Sequence, residues 1–239
     1  MNMKLPVTVI VPAHNAARTI ASTLCSLGNP ERIIVVNDRS HDDTLVEIEQ
    51  CGVAVEVISC TRPGPGAARN TGVERVNTPY IAFCDADDQW TPGRLAADLE
   101  ILNRRADIEI LLGSTKYEAE DERLLSDHVF QNDTQSQVIA HFGAATIRTA
   151  AFHTVGEIRE DRANFEDLEW FMRARDLGVR LVTHERIVQQ RLMHGSSTSQ
   201  MNPARPRDLL EVLAESVRRR AITGIESKSL HESLDVEIR

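Results

Sequence analysis

Three carboxylates crowd four positions of the stretch FCDADDQW, residues 83–90: Asp85, Asp87 and Asp88. Two unit charges about 4 Å apart repel by roughly 1 kcal/mol in water and about 4 kcal/mol at the effective dielectric near a protein surface. Such a cluster needs a cation, hydrogen-bond donors or full hydration. A hydrated turn is the ordinary alternative, because Asp bonds nearby backbone amides and is common in turns. A divalent cation is the chemical one. Mg2+ and Mn2+ take oxygen ligands and are commonly held by one or two carboxylates together with substrate phosphates. The triplet would then be half of a site whose other oxygens arrive with a diphosphate.

Complementary chemistry stands elsewhere. In GPGAARN, residues 64–70, Gly64 and Gly66 permit close backbone approach, and Arg69 at the opening of a helix offers a charge-assisted donor to phosphate. This is not the dinucleotide fingerprint, which follows the first strand and needs a third glycine where Arg69 stands. No Walker-type lysine loop is present. His14 in PAHN (Pro12 to Asn15) could stack on a nucleobase or cap a loop, and Asp38 in NDRS could accept from a base N–H or close a turn.

The elements between these segments alternate in type. VTVIV (Val7 to Val11), RIIVV (Arg32 to Val36), VAVEVIS (Val53 to Ser59), YIAFC (Tyr80 to Cys84) and IEILLG (Ile108 to Gly113) read as strands, with helical patterns between them. Ile20, Leu24 and Leu27 share one helical face, as do Leu95, Leu99 and Leu102 after Pro92. Near-continuous apolar strands joined by crossover helices predict a mostly parallel central sheet covered on both faces, an α/β fold. Ligands of such sheets bind outside the carboxyl ends of the strands. The segments Pro12 to Asn15, Asn37 to Ser40, Thr61 to Asn70 and Asp85 to Asp88 all follow strands, so they share one rim, which favours a ligand crevice over scattered hydrated turns. Residues 114–147 show no clear period and are expected to be loops and short strands. FEDLEWFMRARDLG (Phe165 to Gly178) predicts a helix with a glycine cap, VRLVTH a late strand and PRDLLEVLAESVRRRAI a terminal helix.

The whole chain narrows the classes. Its 239 residues carry a formal net charge of −9, too acidic for a nucleic-acid footprint. The four cysteines form no C-x-x-C pair and read as reduced residues of a cytoplasmic protein. No run reaches the roughly 18 apolar residues of a membrane span, a pattern compatible with at most peripheral membrane contact.

The combination VTVIVPAHNAARTIASTLCSL, VVNDRSHDDT, GPGAARNTGVERVNTPYIAFCDADDQWTPGRL and FEDLEWFMRARDLG, in this order over roughly residues 5–180, resembles the GT-A glycosyltransferases of family 2. The resemblance implies a GT-A fold over 1–205, with a nucleotide-binding half near 5–113, an acceptor and catalytic half near 114–205, and a C-terminal helix and tail over 206–239. It implies inverting, non-processive transfer of one sugar from a nucleoside-diphosphate sugar, a UDP-sugar foremost, to a glycan, lipid-linked glycan or small-molecule acceptor. Mn2+ or Mg2+ would assist. Pro12, His14, Asn15, Asp38, Gly66, Arg69, Asp85 and Asp87 would contact the donor, with His14 and Asp38 at the base. Asp87, Asp88 and His194 would hold the metal, and Asp167 would be the catalytic base, the ordinary alternative being a first-turn acid that favours the helix dipole. NDRS departs from the family's DDGS at Asn37 and Arg39, and the Q-x-x-R-W signature of processive synthases is missing. A noncatalytic nucleotide-sugar-binding protein and a sugar-nucleotide nucleotidyltransferase are the other classes. The second would need a glycine-rich basic signature where PAHNAART stands.

Overall fold

A single twisted sheet forms the frame of the computed structural model, which describes residues 3–119, 136–162, 164–193, 206–223 and 235–236. The first half builds as the sequence predicts: β1 (Leu5–Ala13), α1 (Ile20–Ser26), β2 (Pro30–Asn37), α2 (Thr44–Gln50), β3 (Glu56–Ser59), α3 (Pro65–Val73) and β4 (Tyr80–Phe83). Strand β1 lies between β2 and β4, parallel to both, and β2 carries β3 on its far side. Alternation sets the two faces. Val7, Val9 and Val11 turn to one side, where they pack with Leu24, Leu27, Leu99 and Leu102, while Ile10 turns to the other and joins Phe83, Phe142 and Trp170.

The third strand is shorter than its apolar pattern suggests, because β3 sits at the sheet edge, where alternate side chains stay half-exposed and only Glu56 to Ser59 pair with β2.

The second half corrects the expectation of a simple parallel series. After β5 (Asp88–Trp90) and α4 (Arg94–Arg104), the strand expected at residues 108–113 begins at Ile110 and runs on as β6 (Ile110–Ala119). It does not join β4. The four-residue β8 (Ala145–Arg148) is inserted between them, antiparallel to both. A two-residue β7 (Ser136–Gln137) pairs with β6. Helices α5 (Thr149–Val155) and α6 (Glu166–Asp176) follow, then β9 (Leu181–Met193), parallel to β6. Strand β9 is more than twice the length of the predicted VRLVTH, because β6 runs beside it as far as Met193 and β5 pairs antiparallel with its second half. Helix α7 (Pro206–Thr223) packs on α6, and β10 (Asp235–Val236) pairs with β9.

An aromatic cluster fixes the second half under the rim. Phe142 lies 5.0 Å from Phe83 and 5.2 Å from both Trp170 and Phe171, ring centre to ring centre. Tilted pairs at this spacing contribute about 0.5–1.5 kcal/mol each beyond the area they bury. No helix among the described residues is long and apolar enough to cross a membrane.

Candidate active site

The carboxyl ends of β1 to β4 bring the four expected segments together. Pro12, still within β1, is half-buried beside Val36 in register, and His14 and Asn15 follow at the exposed lip. His14 Nδ1 lies against the carbonyl oxygen of Asp38, and its Nε2 is 3.2 Å from Asn15 Nδ2. The carbonyl can only accept, so the ring carries its proton on Nδ1 and accepts at Nε2. Asn15 adopts φ 50° and accepts at Oδ1 from the His41 amide at 2.8 Å, while its own amide donates to Ser40 Oγ. Left-handed backbone is uncommon outside glycine and is best tolerated by Asn, whose side chain bonds locally. Asp38 is buried, with Oδ1 accepting from Arg39 Nε at 2.9 Å and Oδ2 from the Gly64 amide at 2.8 Å. Asp38 thus ties the loop after β2 to the loop before α3. Asn37, where the family has an acid, accepts the Ser40 amide and closes that loop.

Gly66 is needed for packing: a Cβ there would stand 2.9 Å from the Arg159 carbonyl oxygen. One turn later Arg69 is almost fully buried, and its guanidinium faces carboxylates, where the sequence reading expected phosphate. Nη2 donates to Asp85 Oδ1 at 2.7 Å, Nη1 donates to Glu166 Oε1 at 3.2 Å and lies 3.7 Å from Asp167 Oδ1. Phe142 covers the guanidinium, ring centre 5.5 Å from the central carbon. Burial works against the charge of Arg69, and the three acids outweigh it and hold the guanidinium firmly charged.

The acidic stretch is a turn between β4 and β5, pinned by Thr23 Oγ1 donating to the Ala86 carbonyl at 2.9 Å. Its three aspartates occupy unlike environments. Burial opposes the charge of Asp85, but Arg69 first, then His141 and Arg191, hold its carboxyl well below the usual carboxylate range. Asp87 is half-buried. Asp88 is fully buried at the start of β5, where Gln189 Nε2 donates to its Oδ2, and burial pushes its carboxyl well above the usual range. Its Oδ1 has no hydrogen-bond partner among the described residues.

Across from the turn stands Asp167, in the first turn of α6. Its Oδ2 accepts the Phe142 amide at 3.0 Å, and its Oδ1 has no hydrogen-bond partner among the described residues. Phe165 enters the helix at φ 61°, a costly backbone state for an aromatic residue that sets the direction of Glu166 and Asp167. Burial and the neighbouring Asp167 charge raise the Glu166 carboxyl above its ordinary range.

His141 links the two groups of acids. Its Nδ1 accepts the Gly143 amide at 3.0 Å, which leaves Nε2 facing Asp85 Oδ2 at 3.5 Å and Asp167 Oδ2 at 3.6 Å. Arg191 Nη1 is 3.0 Å from the same nitrogen. The turn that carries His141 is fastened by Arg94, buried against Trp90, whose guanidinium donates to the carbonyl oxygens of Gly143 and Ala145. His141, Glu166, Gln189 and Arg191 are site residues that the sequence reading did not single out. Glu166 carries a signal as the neighbour of Asp167, and Gln189 and Arg191 lie in QQRLMHGSSTSQ, the late stretch around His194 that resembles the family. His194 lies outside the described residues.

The donor set suits a hard divalent cation. Asp85, Asp87 and Asp88 each offer an oxygen within 4.8 Å of the others, and the unpartnered Asp88 Oδ1 is a buried acceptor in need of a positive charge.

Comparison with known proteins places this geometry. The model of the family described as Glycosyl transferase family 2 matches residues 8–160, a span that holds the rim from β1 through the acidic turn and β8. The chain belongs to glycosyl transferase family 2. Its relatives include the amylovoran biosynthesis glycosyltransferase AmsB of Erwinia amylovora, 32% identical over 107 residues, 41% of this chain and 36% of that protein. The putative teichuronic acid biosynthesis glycosyltransferase TuaG of Bacillus subtilis is 34% identical over 113 residues, 44% of this chain and 45% of that protein. The chain thus spans less than half the length of these relatives. Among solved structures, S. aureus TarS in complex with UDP-GlcNAc superposes with a TM-score of 0.73 at 20% identity, over 96% of this chain and 69% of that one. The mannosyltransferase PcManGT of Pyrobaculum calidifontis, in complex with GDP-Man and Mn2+, gives 0.68 at 18% identity, over 97% and 67%. The family 2 chain therefore has the GT-A fold, a curled α/β sheet with antiparallel β8 joining its two parallel parts.

Proposed function

We propose that this chain is an inverting, metal-dependent glycosyltransferase that moves one sugar from a nucleoside-diphosphate sugar to an acceptor hydroxyl. The observation that carries the reading is the pairing of Asp167 with the acidic turn through His141, at 3.6 Å on one side and 3.5 Å on the other. An inverting displacement needs a carboxylate on the face of the sugar opposite the leaving diphosphate. Asp167, from the second half of the chain, faces the diphosphate side, formed by the first. The Asp167 carboxylate would accept the incoming hydroxyl's proton.

Asp87 and Asp88 would hold Mn2+ or Mg2+ together with the diphosphate, and His194 would complete the shell. The bound cation would supply Lewis-acid stabilisation of the leaving group. Asp85, fixed by Arg69, would meet the ribose, so Arg69 would help fix the nucleotide through Asp85. His14, Asn15 and Asp38 would frame the base, with Arg39, at φ 56°, the residue placed to alter base preference relative to DDGS chains. UDP-GlcNAc in TarS and GDP-Man with Mn2+ in PcManGT support this class of donor and metal. The acceptor would be a glycan, a lipid-linked glycan or a small molecule, and the four unbridged cysteines suit work in the cytoplasm.

The deciding experiment is a thermal-shift panel of UDP-, GDP- and TDP-sugars with and without Mn2+. Stabilisation by one donor only when Mn2+ is present is expected. Indifference to every donor and to the metal would overturn the reading.

A further inference from the structure

Helix α7 is attached to the molecule by its polar face. Ser216 Oγ donates to Asp176 Oδ2 at 2.8 Å and receives Arg175 Nη2 at 2.8 Å, while Arg219 donates to Asp176 and to Glu169 at 3.1 Å each. Glu215 accepts from Arg159 at 3.0 Å and from Arg162 at 2.7 Å. Val212 is the buried apolar residue of the helix. The opposite face is apolar and open: Leu210 is 64% exposed, Leu213 41% and Val217 57%, and Ala214 and Ala221 are exposed beside them. Positions 210, 213, 214, 217 and 221 fall on one stripe of a 3.6-residue helix, about 16 Å long. A surface helix ordinarily turns that stripe to its own core, so the inversion marks a face made for a partner.

The charges beside the stripe say which partner. Glu211 and Arg218, both exposed, stand seven residues apart on the same flank. In two antiparallel helices related by a two-fold axis, like flanks meet. An axis level with Ala214 and Glu215 puts Glu211 of each copy opposite Arg218 of the other, an isologous pair of opposite charges. Ala214 at the axis and Ala221 towards the end let the backbones approach closely. A lipid surface fits less well, since attraction to anionic lipid calls for a cluster of about 4–8 basic residues. Here Glu211 already receives Arg207 at 2.9 Å, and the chain as a whole carries −9.

We propose that α7 is a self-association surface, on which a second copy of this chain packs its own α7 antiparallel through Leu210, Leu213 and Val217. The surface lies on the outer side of α7 and is independent of the donor reading.

Sedimentation velocity of the full chain over a concentration series tests it. A reversible monomer–dimer equilibrium is expected. Leu210→Ser with Val217→Ser should weaken it at least about tenfold while leaving the thermal unfolding midpoint in place, as befits exposed positions. Glu211→Arg alone and Arg218→Glu alone should each weaken the dimer, and the two together should restore it. A wild-type chain that stays monomeric throughout overturns the proposal, as does a dimer indifferent to the apolar substitutions or a charge reversal without recovery. Binding to anionic phosphatidylserine vesicles by a monomer, abolished by the same apolar substitutions, would assign the face to lipid and overturn it equally.

Discussion

Arg69 and Asp85 meet at 2.7 Å across the seam between α3 and the acidic turn, and the same guanidinium reaches Glu166 at 3.2 Å on its other side. One buried cation therefore joins the carboxylate proposed to meet the ribose to the helix that carries the proposed base. Removing one partner of a buried ionic group costs far more than an exposed pair, because the remaining charges lose their counter-ion in a poorly solvated place.

Arg69→Met should accordingly lower the unfolding free energy by about 3–5 kcal/mol, read by urea denaturation. Arg69→Lys keeps the charge but not the fork that serves two carboxylates, and should lose less. A methionine variant as stable as the wild type would remove the ionic link from this account.

Replacement of Asp167 by Asn keeps an acceptor for the Phe142 amide and removes the proposed base. Donor-induced thermal stabilisation with Mn2+ should persist while sugar transfer falls by roughly 10²–10⁴, the range of a general-base contribution. Loss of donor binding in this variant would count against Asp167 as the base.

Asp98 provides a pH test away from the acidic turn. Burial alone would raise its carboxyl, but the His184 ring 3.6 Å away, then Arg94 and the Thr146 hydroxyl at 2.8 Å, lower it below its ordinary value. A carboxyl depressed on folding adds stability that is present above its unfolded pKa of about 3.9 and is lost as pH falls through the folded value. The stability gap between wild type and Asp98→Asn should therefore narrow as pH is lowered from about 5 towards 3. Thermal midpoints across that window decide the matter, and a constant gap would refute the assignment.

Gly143→Ala should disturb the site without touching an acid. The added Cβ would collide with Gln189 Oε1 and stand 2.8 Å from the His141 ring, both inside the closed turn. Gln189 would be pushed from Asp88, and the Mn2+-dependent donor shift should shrink. Stabilisation by donor equal to the wild type's would show that the turn accommodates the methyl group freely.

The rim was legible in the sequence because strand ends obey a strong rule: a β-branched run followed by polar residues fixes both the strand and the side on which its loop emerges. His14, Asp38, Arg69 and Asp85 share that rim on this basis, and in the structure His14 meets Asp38 and Arg69 meets Asp85. Their partners were not legible. Asp38 serves the Gly64 amide and Arg69 serves three acids, relations set by packing across 16 to 98 residues. His141 escaped notice because AHFG has neither period nor motif, and its place depends on Arg94 holding the Gly143 and Ala145 carbonyls. Gln189 and Arg191 are hidden by the length of β9, whose second half is a strand because β6 and β5 pair with it on its two sides. The antiparallel sense of β8 could not be read from ATIR, since four apolar-rich residues suit either direction.

Strand β8 also dictates an order of assembly. Strand β4 is buried along its whole length, with β1 on one side and β8 on the other, while β6 meets the sheet through β8 and β9. A nascent chain that ends at Gly113 therefore has YIAF as an open edge and β6 without neighbours. Pairings of such long sequence separation form late, and an unpaired apolar edge invites other chains. The edge of β4 that precedes the acidic turn is sealed only when residues 145–148 pair with it, so the first half of the sheet is completed by a strand from the second.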